Sequence, residues 1–290
     1  LFREKSDFVR RATEESYWIE SKGFYGVCRL FLLDHLVEKP FEDISLLPLR
    51  IGYAGPKDAR LRRNLLSVKE RLGRDDGLIW SKPLVPGLMG IDGHVPGYLL
   101  QNLTLIDHPD AEKAFNAIGE FAQCTGEIAE GHTAAKRGVM VLQYSAEQKS
   151  GDTTARYRPW EGGVVADAVL QYLIGEEWDA PGGHVSVTPH LPNGWGEMAA
   201  RGLRCGAWTY AVEVRDSGAR RRQSVTNRSQ APLIVDLGAS VTGAAIGEVR
   251  VDGQPIPRPE IDAEFSRASF RVERTIAPGA TIELEFDYAR

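Results

Sequence analysis

The sequence predicts a mainly α chain over residues 1–180, followed by an all-β antiparallel sandwich over residues 181–290. Three observations predict it. Apolar residues recur at helical spacing in successive segments up to about residue 175. Beyond Trp178 the pattern changes to short stretches rich in β-branched residues, several of which alternate apolar with polar. A length of 290 residues exceeds one typical domain and suits two, since domains cluster near about 100–150 residues.

In the first helical segment, Leu1 to about Glu20, the apolar positions are Leu1, Phe2, Phe8, Val9, Ala12, Tyr17 and Trp18, and Gly23 is a stop signal. Phe24 to Leu36 is a continuous apolar run, too short and too β-rich for a helix, and is read as an extended excursion. After Pro48 and the Gly55-Pro56 break, Lys57 to Leu72 reads as a helix with Leu61, Leu65, Leu66, Val68 and Leu72 on one side. Gly73 is placed just past its end, where a left-handed residue is expected. A loop rich in Gly and Pro, residues 75–93, precedes Pro96, which suits the first turn of a helix over Gly97 to Leu105. Pro109 starts the next, Asp110 to Cys124, and further helices are expected at Ala134 to Gln148 and Gly162 to Ile174.

Strands are expected at His184–Thr188, Trp208–Val214, Leu233–Leu237, Gly247–Val251 and Thr281–Phe286. Asp252-Gly253 and Pro278-Gly279 are turn dipeptides between them. The basic run Arg220-Arg221-Arg222 follows Gly218 and is read as a solvated loop.

Hydrophobic residues make up 42% and charged residues 26%, an ordinary globular balance. A net charge of −5 argues against a nucleic-acid partner, because such proteins present a basic face. No stretch reaches the roughly 20 apolar residues that span a bilayer, so no membrane partner is expected. Cys28, Cys124 and Cys205 are few, odd in number and set among apolar neighbours, so they read as core residues rather than a disulfide framework. The six histidines lack tight ligand spacing, and neither a nucleophile elbow nor a phosphate loop is present; no metal and no cofactor is expected. The chain opens without Met on residues that read as the inside of a helix, from which a longer protein is expected.

What remains is carboxylates and aromatics in Gly-rich loops. Acids protonate or activate at a glycosidic bond, and aromatic faces stack on sugar rings, so a carbohydrate substrate is expected. In Cys124-Thr125-Gly126-Glu127-Ile128-Ala129-Glu130-Gly131-His132 two acids stand three residues apart beside a histidine. On a helix they share a face and shift each other's pKa, which makes Glu130, ahead of Glu127, the candidate catalytic carboxylate, with His132 a candidate substrate contact. The alternative is an acidic first turn favoured by the helix dipole. Trp160-Glu161-Gly162 opens a helix; Trp160 either packs or stacks on sugar, and Glu161 is an N-terminal helix acid beside it. His94, Tyr98 and Asn102 lie four apart on one helix face, either as core polar packing or as a substrate-lining face. Trp80, in the Gly-rich loop, either joins a cleft or anchors the loop.

These segments, in their order, resemble the six-hairpin glycosidase superfamily, especially its α-L-rhamnosidase-like and glucosidase-like members. The resemblance is carried by Ile44-Ser45-Leu46-Leu47-Pro48-Leu49-Arg50-Ile51-Gly52-Tyr53, Asp76-Gly77-Leu78, Gly97-Tyr98-Leu99-Leu100, Gly126 to Glu130, Trp160-Glu161-Gly162, Val187-Thr188-Pro189-His190-Leu191-Pro192-Asn193-Gly194-Trp195 and Leu203-Arg204-Cys205-Gly206, spanning about residues 1–215. It implies a partial (α/α)6 toroid ahead of the sandwich. It also implies an inverting glycoside hydrolase with Glu130 as general base and a general acid on chain preceding Leu1. Two other functions stay open: a polysaccharide lyase using His94, Tyr98 and Asn102, and a non-catalytic carbohydrate-binding fragment.

Overall fold

The computed structural model describes residues 2–26, 29–30, 35–36, 38, 46, 53, 55–75, 77–79, 90–121, 131–133, 159–242, 245–257, 262–264 and 267–289. The chain divides into two compact units, Leu1–Ile106 with Asp110–Val169, and Asp107–Pro109 with Leu170–Arg290.

In the first unit, α1 (Phe2–Tyr17) leads into a short antiparallel pair, β1 (Trp18–Ile19) with β2 (Phe24–Tyr25). A second such pair joins β3 (Arg29–Leu30) to β4 (His35–Leu36). The helix α2 (Ala59–Leu72) begins where Asp58 adopts an extended backbone and its carboxylate accepts the amides of Arg60 and Leu61, both at 3.0 Å. That satisfies donors the first turn leaves without intrahelical acceptors. Its Leu61, Leu65, Val68 and Leu72 are buried, and Asn64 beside them accepts the Tyr25 amide at 3.1 Å, tying α2 to β2.

A third pair joins β5 (Gly90–Asp92) to β6 (Gly131–Thr133). From β5 the chain turns into α3 (Val95–Leu105), which is buried on nearly every side and packs on α4 (Asp110–Phe121). A helix apolar almost all round belongs inside a protein. Two of its polar residues bond back to their own helix, Asn102 Nδ2 to the Tyr98 carbonyl at 2.6 Å and Thr104 Oγ1 to the Leu100 carbonyl at 2.8 Å. The last helix is α5 (Pro159–Ile174).

The second unit holds β7 (Glu176–Asp179), β8 (His184–Val187), β9 (Glu197–Cys205), β10 (Trp208–Asp216), β11 (Arg220–Asn227), β12 (Leu233–Thr242), β13 (Ala245–Val251), β14 (Gln254–Pro255), β15 (Asp262–Glu264), β16 (Arg267–Ile276) and β17 (Thr281–Ala289). They form a six-stranded sheet, β14-β13-β17-β11-β10-β9, and a five-stranded sheet, β15-β16-β12-β8-β7. One core lies between them. Tyr210, Val212, Val214, Val225, Ile282, Leu284 and Phe286 enter it from the first sheet, and Val185, Val187, Leu233, Val235, Leu237 and Phe270 from the second. Their spacing of two is the strand period, and each fully buried side chain of this size contributes about 1.5–3 kcal/mol.

Four expectations are corrected. The fold is mixed α/β rather than mainly α on an (α/α)6 toroid: among the described residues there are five helices, strand positions outnumber helical ones, and only α3 and α4 are joined by a short link as a helical hairpin. The sandwich is not wholly antiparallel, because β12 pairs with β8 in parallel, Ile234 beside His184 through Leu237 beside Val187. Arg220-Arg221-Arg222 is not a loop but the start of β11, and its middle residue is 4% exposed. Gly73 is not left-handed; at φ −60° and ψ 149° it is extended, and a Cβ there would come 2.4 Å from the Lys69 carbonyl oxygen. Close approach, rather than a positive φ, requires glycine at that position.

Arg221 is tolerated inside because its charge is matched. Its Nε and Nη2 donate to Asp216 Oδ2 at 3.0 and 2.8 Å, and its Nη1 donates to the Ser240 carbonyl at 3.2 Å. Burial alone pushes the Asp216 carboxyl upward. Hydrogen bonds from the Tyr288 hydroxyl, the Gly218 amide and Arg221, together with the guanidinium charge, outweigh it and hold Asp216 below the ordinary carboxylate range.

Candidate functional site

The helices α3 and α5 lie side by side in the same direction, as three contacts in step show. His94 Nδ1 is 3.9 Å from Glu161 Oε1, Gly97 abuts Val164, and Gln101 Nε2 donates to Asp167 Oδ2 at 2.6 Å. Both helices therefore begin at the same end of the first unit, and the positive ends of their dipoles favour an acid there. Glu161, in the first turn of α5, is that acid and is fully buried.

Two further aromatic rings meet His94. His94, which precedes α3, stacks on Trp160 with ring centres 5.4 Å apart and planes 25° from parallel, and meets Tyr98 edge-on at 5.5 Å. His94 is 8% exposed, whereas Trp160 is 53% exposed. One face of the indole is thus backed by a nearly buried imidazole while much of the ring stays accessible. Large apolar rings are usually buried, so an accessible tryptophan held flat on a second ring is an informative exception.

Four residues singled out in the sequence, His94, Tyr98, Trp160 and Glu161, come together in this way. Asn102 is fully buried and its amide donates to the Tyr98 carbonyl, so it does not line a surface with His94 and Tyr98. His132 lies on β6, its backbone paired with Ile91, and Gly131 is opposite Asp92, two residues before His94. Glu127, Glu130 and Trp80 lie outside the described residues. Sequence reasoning missed Gln101 and Asp167, which fix the far end of the α3–α5 seam. The available signal was a polar Gln101 inside the apolar stretch Val95–Leu105, since a buried amide requires a partner. Among the described residues no group of three or more His, Cys, Asp or Glu is placed to hold a metal ion, and no helix is long and apolar enough to cross a membrane.

No family model and no curated protein matches the chain. Among solved structures, the chain is similar to an α-L-rhamnosidase from Dictyoglumus thermophilum with a TM-score of 0.57 and 13% identity, covering 99% of this chain and 29% of that one. It is also similar to a GH127 β-L-arabinofuranosidase from Geobacillus stearothermophilus T6, with a TM-score of 0.39 and 11% identity over 86% of this chain and 41% of that one. The second likeness is too low to carry a fold assignment. The first shows a likeness of fold along the chain, which spans less than a third of that rhamnosidase.

Proposed function

We propose that this chain is part of a carbohydrate-active hydrolase in which a sugar ring stacks on Trp160 beside Glu161 and His94. The observation that carries the reading is the accessible indole of Trp160, backed by His94 at 5.4 Å, next to a fully buried carboxylate. A flat apolar face with a polar rim is what a pyranose or furanose ring requires: its C–H face meets the indole and its hydroxyls reach hydrogen-bonding groups at the edge. The likeness of fold agrees with this reading but assigns no reaction.

In this proposal Glu130 is the general base. It activates a water for attack at the anomeric carbon while a second carboxylic acid protonates the leaving oxygen, with the two groups about 6.5–9.5 Å apart in an inverting enzyme. Support comes from the β5–β6 pairing, because Gly131, the next residue after Glu130 in the sequence, is opposite Asp92 and so near the start of α3. Glu127 is the neighbouring carboxylate that tunes the base through its charge, and Tyr98, His132 and Trp80 are the further candidate sugar contacts.

The test is hydrolysis of a panel of oligosaccharides and aryl glycosides by the enzyme that carries this chain. Glu130→Gln should lower kcat by roughly 10²–10⁴-fold, the usual worth of acid–base catalysis, with unchanged thermal unfolding. Near-normal turnover in that variant contradicts the assignment. Products that absorb in the near ultraviolet through a new C=C bond would show elimination instead of hydrolysis.

A further inference from the structure

Within the second unit, a polar chain runs through the turn that joins α3 to α4. Asp107 in that turn has φ 57°, in the left-handed region that side chains other than glycine seldom adopt. The Ser240 hydroxyl, on β12, is 2.6 and 2.9 Å from its two carboxylate oxygens. His190 reaches the same carboxylate, with Nε2 3.4 Å from Asp107 Oδ1. The other ring nitrogen, Nδ1, lies 3.1 Å from the Tyr172 carbonyl oxygen, and the imidazole stacks on the Tyr172 ring at 5.2 Å. The ring is 5% exposed.

Both ring nitrogens of His190 face acceptors. A carbonyl oxygen can only accept, so Nδ1 must carry a proton. A neutral ring in that tautomer would then turn the lone pair of Nε2 toward a carboxylate, which is repulsive. Protonation of Nε2 turns the contact into a charge-assisted one and matches both partners at once. We propose that His190 is a buried imidazolium that latches the Asp107–Pro109 turn through the Asp107 carboxylate and weakens that latch when alkaline pH removes its proton.

The groups facing His190 from the elements around it include Asp107 from the turn, Tyr172 from α5 and, behind Asp107, Ser240 from β12. Beyond Ser240, Arg221 on β11 donates to the Ser240 carbonyl at 3.2 Å. Its charge is paired with Asp216 on β10 at 2.8 Å. His108 lies within the turn and Asp110 follows it in the sequence. A histidine whose folded pKa lies above its unfolded value of about 6.5 stabilises the fold fully below that value and loses the contribution as pH rises through the folded pKa. The latch is therefore closed at neutral pH and opens on the alkaline side.

The experiment is a ¹⁵N and ¹³C imidazole NMR titration of the 290-residue chain, with the His190 signals assigned by their loss in His190→Gln. The expected result is doubly protonated nitrogens at pH 7, a midpoint raised by about one unit or more, and a lower midpoint in Asp107→Asn. A neutral His190 at pH 7, or a midpoint unmoved by Asp107→Asn, overturns the proposal. If His190→Gln does not fold, amide exchange in the wild-type chain serves: protection of residues 107–110, corrected for base catalysis, should fall as His190 titrates. Protection that stays constant to pH 10 overturns it equally.

Discussion

Gly97 on α3 lies so close to Val164 on α5 that a Cβ added at Gly97 would fall 2.9 Å from Val164 Cγ1 and 3.0 Å from its carbonyl oxygen. Glycine here sets the separation of two parallel helices, and with it the distance between His94 and Glu161 at their shared end.

Gly97→Ala tests that relationship. Alanine gains about 0.8–1 kcal/mol of helix propensity over glycine, but overpacking a tight seam costs about 1–3 kcal/mol, so a net loss of about 1 kcal/mol is expected in urea unfolding. Gly97→Leu should lose several times more. A stabilised Gly97→Ala would show that the seam opens freely and sets no distance.

Asp58 caps α2 with two bonds to amides of the first turn. Asp58→Ala should reduce stability by about 1 kcal/mol, whereas Asp58→Ser or Asp58→Asn should recover most of it. Chemical denaturation of the three variants decides the matter, and equal stability for all would mean that solvent serves the amides as well.

Asp216 and Arg221 form an ion pair with both side chains 5% exposed. Removing one partner strands the other, so Asp216→Asn should cost about 3–5 kcal/mol, while Asp216→Asn combined with Arg221→Met should recover part of the loss. The carboxyl is held below its ordinary value. Its contribution is therefore present above the unfolded pKa of about 3.9 and fades as pH falls through the lower folded pKa. The stability gap between wild type and Asp216→Asn should accordingly narrow as pH falls below about 3.9. A gap that is constant from pH 6 to pH 2 contradicts this.

The helices were legible where apolar spacing and caps agreed, as for α2, where Asp58 and the Leu61-Leu65-Val68 stripe mark start and buried face. Strands with an apolar inner face, such as β10 and β17, were legible from alternation. The strands β9, β11 and β16 were not expected; at β11 the run Arg220-Arg221-Arg222 after Gly218 read as a solvated loop. An arginine's partner, here Asp216, is a tertiary fact. Strand content was underestimated for that reason, and with it the mixed character of the fold. The parallel β8–β12 pairing is a matter of chain path, which local pattern does not encode.

At the candidate site the residue types were legible but their grouping was only partly so. His94 and Tyr98 are four apart on or beside one helix, a separation that period alone predicts to be close. The contacts of His94 with Trp160 and Glu161 bridge far larger separations and depend on how α3 and α5 pack. Asn102, equally well spaced, turned inward because a neighbouring backbone carbonyl was within its reach.

The most direct test of the proposed function is calorimetric binding of an oligosaccharide panel to the chain and to its Trp160→Ala variant. Trp160 is 53% exposed, so the variant should fold normally. The account predicts saturable binding of at least one glycan by the wild type and a loss of about tenfold or more in the variant, equivalent to about 1.4 kcal/mol. A glycan bound equally well by both proteins would contradict the placement of sugar on the indole, and the absence of any binding would contradict the carbohydrate reading of this surface.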